Sequence, residues 1–232
     1  MITALSPVNK NLAVVYVGGS AIDLSAWEEK VPAILFAWYG GMEGGQALAR
    51  VLYGDYNPSG KLPFSIARNE ADYPYFTPYA MKIKYDYYHG YTLFDKKEIA
   101  VAYPFGHGLS YTSFSYNDLQ VINPKVNPKD TLLVSVDVTN TGDRYGEEVA
   151  QLYVGFSQSA VDRPVKLLRG FEKIALEPGE TRTIEFAVKT RDLAYYDTEE
   201  KRWIVEEMEH EIYLGGSSRH EALLEGGFFV GL

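Results

Sequence analysis

Leu132-Leu133-Val134-Ser135-Val136-Asp137-Val138-Thr139 alternates apolar residues with mostly polar ones. Successive side chains of a strand point to opposite faces, so this spacing predicts a strand with Leu132, Val134, Val136 and Val138 on a core face. Asn140-Thr141-Gly142-Asp143 breaks the run, and Val149 to Val154 resumes it with Ala150, Leu152 and Val154 on one side. Glu177-Pro178-Gly179-Glu180 has Pro second and Gly third, the pattern of a tight turn. Arg182, Ile184, Phe186 and Val188 then alternate with Thr183, Glu185 and Ala187, and further strands are expected near Ile212-Tyr213-Leu214 and Phe228-Phe229-Val230. Short alternating strands punctuated by turns predict an all-β immunoglobulin-like sandwich of about seven strands over residues 113–232.

Residues 1–112 have a different rhythm. Leu12 to Val17 and Pro32 to Trp38 are continuous apolar runs, each followed by a glycine pair, and such runs suit strands covered on both faces of a parallel sheet. Ala47, Leu48, Val51 and Leu52 share one side of a helix expected between Glu43 and Tyr53, with Gly54 placed to end it. Asn57-Pro58-Ser59-Gly60 reads as a turn into a further strand over Lys61 to Ile66. This is a partial α/β unit, small for independent stability. From about residue 67 to 112 runs a connection rich in Tyr, Pro and Gly, whose aromatic density predicts a segment wrapped on neighbouring surface.

The 232 residues carry a formal net charge of −9 and no cluster of Lys and Arg, which argues against nucleic acid as a partner. Absence of Cys excludes disulfides, thiolate nucleophiles and Cys-ligated zinc, but fixes no compartment. The opening residues lack the basic start and long apolar core of a signal peptide. No apolar stretch approaches the ~20 residues a bilayer span needs, so no membrane is implied. His89, His107, His210 and His220 form no metal-ligand spacing, and His107 is expected to fix its loop by hydrogen bonding.

Three stretches, in order, resemble one known family. Ala33 to Gly45, continuing through Val51-Leu52-Tyr53-Gly54-Asp55-Tyr56-Asn57-Pro58-Ser59-Gly60-Lys61-Leu62-Pro63, is similar to the end of the α/β-sandwich domain of glycoside hydrolase family 3. Pro104-Phe105-Gly106-His107-Gly108-Leu109-Ser110-Tyr111-Thr112 resembles that family's "PFGHGLSYT" signature. Val138-Thr139-Asn140-Thr141-Gly142 through Gly146-Glu147-Glu148-Val149-Ala150-Gln151-Leu152-Tyr153, with Leu168-Arg169-Gly170-Phe171 and Pro178-Gly179-Glu180, resembles the fibronectin type III-like domain that ends many such enzymes. Two places depart from the pattern: Gly90-Tyr91 is followed by Thr92 where members often carry Arg, and Glu207-Met208 replaces a Pro-Gly turn.

The resemblance implies a β-glucosidase-like activity on terminal β-linked sugars, with an oligosaccharide or glycoside as ligand of the full enzyme and no cofactor. Retaining hydrolysis needs two carboxyl groups about 5 to 5.5 Å apart. In the family the nucleophile is an Asp on a (β/α)8 barrel, a unit of about 250 residues that this chain cannot contain. The usual acid/base is a Glu upstream of the strand that begins here at Leu12, and Met1 to Asn11 contains no Glu. No catalytic residue is therefore carried over, and the chain alone is expected to be inactive.

Candidate cleft residues are Trp38, Tyr39 and Glu43, in the glycine-rich loop after a strand, because C-terminal ends of parallel strands commonly face ligands. The plain alternative for Glu43 is a carboxylate favoured by a helix dipole. The loop lacks the endings of a P-loop or a dinucleotide fingerprint, and Ser59 and Ser110 lack a nucleophile elbow. The pairs Glu28-Glu29, Glu147-Glu148, Glu199-Glu200 and Glu206-Glu207 read as solvated charge. Two other roles stay open: subunit of a split glycosidase, whose partner polypeptide supplies the barrel or which self-associates through an open sheet edge, and a non-catalytic carbohydrate-binding or stabilising module. The module would need Trp27, Trp38 and Trp203 as a flat platform; the preferred reading places them in core or interface.

Overall fold

The computed structural model describes residues 1–231. After a short helix, α1 (Ile2–Leu5), two strands lie parallel, β1 (Ala13–Tyr16) and β2 (Ala33–Phe36), with Ala13 opposite Ala33. Helix α2 (Gly44–Leu52) follows, and Gly54 takes the left-handed conformation just past its end, at φ 81°. β1 and β2 are at most half-buried, against the expectation of strands covered on both faces. Such coverage needs a layer on each side and further strands, and these two have only each other in their sheet.

Residues 61–66 do not form the expected further strand of that sheet. Pro63 lacks the N–H that a central ladder requires. Leu62 instead exchanges backbone bonds with the 106–107 loop: its N–H donates to His107 O, and Gly106 N–H donates to Leu62 O, both at 2.8 Å. Only β3 (Ile66–Ala67) is extended into a pair, antiparallel to β4 (Val101–Tyr103).

The connection is more ordered than its composition predicts. It contains β4 and a seven-residue helix, α3 (Gly90–Lys96), which buries Thr92, Leu93 and Phe94. Tyr91 of α3 stacks on Phe105 with ring centroids 4.9 Å apart, and its hydroxyl accepts from Leu168 N–H at 3.0 Å. Lys166 and Asp95 form a 2.7 Å ion pair beside it. Earlier in the connection the expectation of wrapped aromatics fails for this chain: Tyr75, Phe76, Tyr79 and Tyr85 are exposed.

The remainder is an immunoglobulin-like sandwich. Its strands are β5 (Phe114–Val121), β6 (Lys125–Val126), β7 (Thr131–Asn140), β8 (Gly146–Gly155), β9 (Lys166–Leu176) and β10 (Thr181–Lys189). A small hairpin follows, β11 (Tyr195–Asp197) with β12 (Arg202–Ile204), then β13 (Glu209–Gly215) and β14 (Leu224–Val230). One sheet runs β10-β7-β5 and the other β6-β14-β13-β8-β9. Leu132, Val134, Val136 and Val138 face Ala150, Leu152, Val154, Ile212 and Leu214 across a core in which all are fully buried. The 177–180 turn closes with Glu180 N–H donating to Glu177 O at 3.0 Å and Gly179 at φ 76°. The far face of β8 is covered too, since Gln151 and Tyr153 lie buried under the connection.

Candidate functional site

The loop from Trp38 to Glu43 leaves the C-terminal end of β2, beside the Gly18-Gly19 loop that leaves β1. Gly40 lies so close to Gly44 Cα (2.7 Å from an added Cβ) that a side chain there would displace backbone. Gly19 likewise leaves room for the Tyr39 ring. Trp38 sits at φ 52°, a left-handed conformation that bulky residues rarely hold, and packs edge-on to Phe64 with centroids 5.6 Å apart. Tyr39 stands 78% exposed, and Glu43 is exposed as the N-cap of α2 without a side-chain capping bond. The structure therefore gathers all three candidates at one strand-to-helix turn. Trp38 is half-buried, whereas Tyr39 and Glu43 face outward.

The three quoted signature stretches converge at a second place, the seam between the α/β segment and the sandwich. Asn57 Nδ2 donates to Tyr145 O at 2.9 Å, and its Oδ1 accepts from Ser110 Oγ at 2.8 Å and Tyr111 N–H at 2.7 Å. Lys61 Nζ donates to both oxygens of Glu148 and to Gly108 O, each at 3.0 Å. Glu148 also accepts from Tyr116 hydroxyl at 2.8 Å, and Glu147 accepts from Ser59 Oγ at 2.9 Å. Gln151 Nε2 donates to Gly106 O and Gly216 O, at 3.2 and 2.7 Å. Thr112 Oγ1 donates to the buried Asn140 Oδ1 at 2.6 Å. A side chain at Gly108 would run into Gly60 O, and one at Gly106 into Gln151.

The solvated reading of the adjacent carboxylates is thus corrected at Glu148, 5% exposed, and at Glu206, which pairs with Arg163 at 3.3 Å. The available signal was the alternation of Ala150, Leu152 and Val154, which puts Glu148 on the same face of β8. His107 does fix its loop by hydrogen bonding, through its backbone: its O accepts from Leu62 N–H and its N–H donates to Pro104 O, while its ring packs on Tyr103 at 5.3 Å. Burial first, then Arg219 and Lys61, hold that imidazole below its ordinary pKa. Of the tryptophans, Trp203 is largely exposed and lies on the β11–β12 hairpin, against the core-or-interface reading; Trp27 and Trp38 are half-buried.

A general acid needs a carboxyl held protonated near neutral pH. Among the described residues, Asp95 is the carboxyl pushed upward, by burial, and Lys166 opposes that push from 2.7 Å. Glu147, Glu180 and Asp162 are pulled downward by their hydrogen-bond partners. Among the same residues no three His, Asp or Glu gather as a metal site, and no helix is long and apolar enough to cross a membrane.

Residues 1–111 match the glycosyl hydrolase family 3 C-terminal domain, and residues 148–218 the fibronectin type III-like domain. Thermostable beta-glucosidase B of Acetivibrio thermocellus is 42% identical over 231 residues, 97% of this chain and 30% of that protein. Beta-glucosidase 3B from Thermotoga neapolitana, solved in complex with alpha-D-glucose, superposes with a TM-score of 0.90 at 36% identity, over 100% of this chain and 33% of that one. The beta-D-glucoside glucohydrolase of Trichoderma reesei gives a TM-score of 0.89 at 35% identity, over 99% and 35%. The chain spans about 30% of the length of the curated relatives it matches.

Proposed function

The chain belongs to glycoside hydrolase family 3, matching the C-terminal portion of its β-glucosidase-type enzymes, and on that premise we propose that it forms one wall of a cleft in which terminal β-linked sugars are hydrolysed. The observation that carries this reading is the Trp38-Tyr39-Glu43 loop. It stands at the C-terminal end of a parallel strand pair, the edge at which such sheets receive ligands. Trp38 and Tyr39 offer ring faces to a pyranose, and Glu43 offers an acceptor for its hydroxyls. The glucose complex of the Thermotoga neapolitana relative supports a sugar as the ligand class.

Hydrolysis itself requires a nucleophile and an acid that these residues do not supply together. Asp95, the one carboxyl pushed upward among the described residues, is held by Lys166 under α3 rather than at the loop. Pure protein incubated with aryl β-glucosides is expected to show no turnover above a heat-killed control. Turnover that survives repurification would overturn this reading.

A polypeptide that covers the loop side of the segment is favoured by a specific observation. β1 and β2 are half-buried, and Tyr39, Met42, Tyr53, Tyr75 and Tyr79 are exposed. Exposed large apolar side chains and a strand pair with no further neighbour in its sheet are what a covering polypeptide would bury. Co-expression with the N-terminal two-thirds of a relative is expected to yield a co-purifying pair with β-glucosidase activity. Two species that migrate separately and stay inactive would count against it.

A further inference from the structure

A groove of about 620 Å³ opens on the sandwich between the β11–β12 hairpin, the start of β9 and the 161–163 loop. That volume lies within the ~300–1,000 Å³ of ordinary small-molecule sites. It is built from residues other than Trp38, Tyr39 and Glu43.

One wall is aromatic. Tyr196 pairs across the hairpin with Trp203, which puts both rings on one face, edge-on with centroids 5.5 Å apart. Trp203 is 69% exposed, and Tyr87 stands exposed among the groove's other lining residues. Single exposed rings are ordinary. Two rings fixed across a hairpin and facing a recess are a surface arranged for contact.

The floor is cationic. Arg163 is 8% exposed and fully engaged: it donates to Glu206 at 3.3 Å and Leu193 O at 2.8 Å, and lies 3.6 Å over the Phe156 ring. Arg169 beside it differs, because its Nε is buried with no hydrogen-bond partner among the described residues. Burial, then the like charge of Arg163, work against its protonated form. Nε itself is closed to solvent, but Arg169 as a whole is half-buried and lines the groove, so the accessible part of its guanidinium is the donor a ligand oxygen would meet. At the rim Asp197 uses its Oδ1 to accept from Glu199 and Glu200 N–H, at 2.9 and 2.8 Å, and Glu199 lines the mouth.

The lining thus offers ring faces, the Arg169 guanidinium as donor and rim acceptors together, with charge of both signs. An anion would meet Asp197 and Glu199 on entry, and a cation would meet the two arginines. A pyranose meets all three features: C–H faces for the rings, oxygens for the guanidinium, hydroxyl protons for the carboxylates. We propose that this groove binds a neutral β-linked gluco-oligosaccharide against Trp203 and Tyr196, with Arg169 donating to a sugar oxygen. The choice of glucose units rests on the hydrolase reading above.

Titration calorimetry of the 232-residue chain with cellotetraose, alongside the indole N–H signals of its three tryptophans, tests the proposal. Saturable binding is expected, weakened at least tenfold by Trp203→Ala and several-fold by Arg169→Gln. The Trp203 indole signal should shift with the same midpoint. Because Trp203 is largely exposed, Trp203→Ala should keep the parent circular dichroism and melting temperature. Absence of saturable binding overturns the proposal, as does full affinity in Trp203→Ala. Affinity lost in Trp38→Ala but kept in Trp203→Ala overturns the groove while sparing the cleft reading. An inactive co-expressed pair with groove binding intact does the reverse.

Discussion

Glu148 shows how much one side chain can hold in this protein. It is buried between Lys61 Nζ and Tyr116 hydroxyl, and those bonds cross from the sandwich to the α/β segment and to β5. Removing one partner of a buried pair leaves the other charge uncompensated, a loss of about 3–5 kcal/mol. Glu148→Ala is therefore expected to lower unfolding stability by about that amount, read by urea denaturation, with Glu148→Gln losing less. Equal stability of Glu148→Ala and the parent would show the pair to be energetically idle. His210 makes a pH-dependent contribution. Its ring is 2% exposed, stacked on Phe228 and edge-on to Phe156, with Nδ1 3.1 Å from Gly155 O and Nε2 unpartnered. In the neutral ring Nδ1–H donates to that carbonyl, and protonation would add a second donor with no acceptor. Burial holds the imidazole below 6.5, and Arg163 acts in the same direction. The unfolded chain then binds the proton more readily, so stability is full above pH 6.5 and falls as pH drops from there towards the folded pKa. Melting temperatures between pH 7 and 5 should fall less steeply in His210→Phe than in the parent, and identical slopes would exclude the effect. His107, depressed by burial as well, retains its share of the slope in both proteins.

At the level of elements, the parts of the fold legible in the sequence are those stabilised by their own periodicity. The alternation at 132–139 announces β7, and the apolar stripe of 47–52 announces α2. Elements that exist through partners were not legible. α3 has room for little more than one apolar turn, and it forms because Tyr91, Leu93 and Asp95 find Phe105, a buried site and Lys166. The 61–66 stretch has strand-like side chains, but Pro63 and the backbone of residues 106–107 decide its pairing. At the candidate site, the nearness of Trp38, Tyr39 and Glu43 was legible because they share one loop. The Trp38–Phe64 contact and the left-handed backbone beneath it were not. The same contrast predicts uneven stability. Amides of Val134, Val136, Leu152 and Leu214 lie in a two-sheet core, whereas those of Val14, Val15, Ile34 and Leu35 lie in an isolated strand pair. Native-state hydrogen exchange should reach the second group at much lower opening free energies than the first. Uniform protection across both would mean that the segment and sandwich open as one unit.

For the molecule as a whole, the seam matters more than either side of it. Asn57, Lys61, Gly108, Thr112, Asn140 and Glu148 come from three distant stretches, and each is held by a residue from another. The backbones of Gly60 and Gly108 approach so closely that no side chain fits between them. A chimaera that grafts a relative's sandwich onto this segment at residue 112 would part Asn57 from Tyr145, Lys61 from Glu148 and Thr112 from Asn140, while the contacts of residues 57–61 with 108–111 stay within the segment. A viable crossover has to carry the complementary residues of both strips from one parent, so recombination should succeed only where the strips travel together.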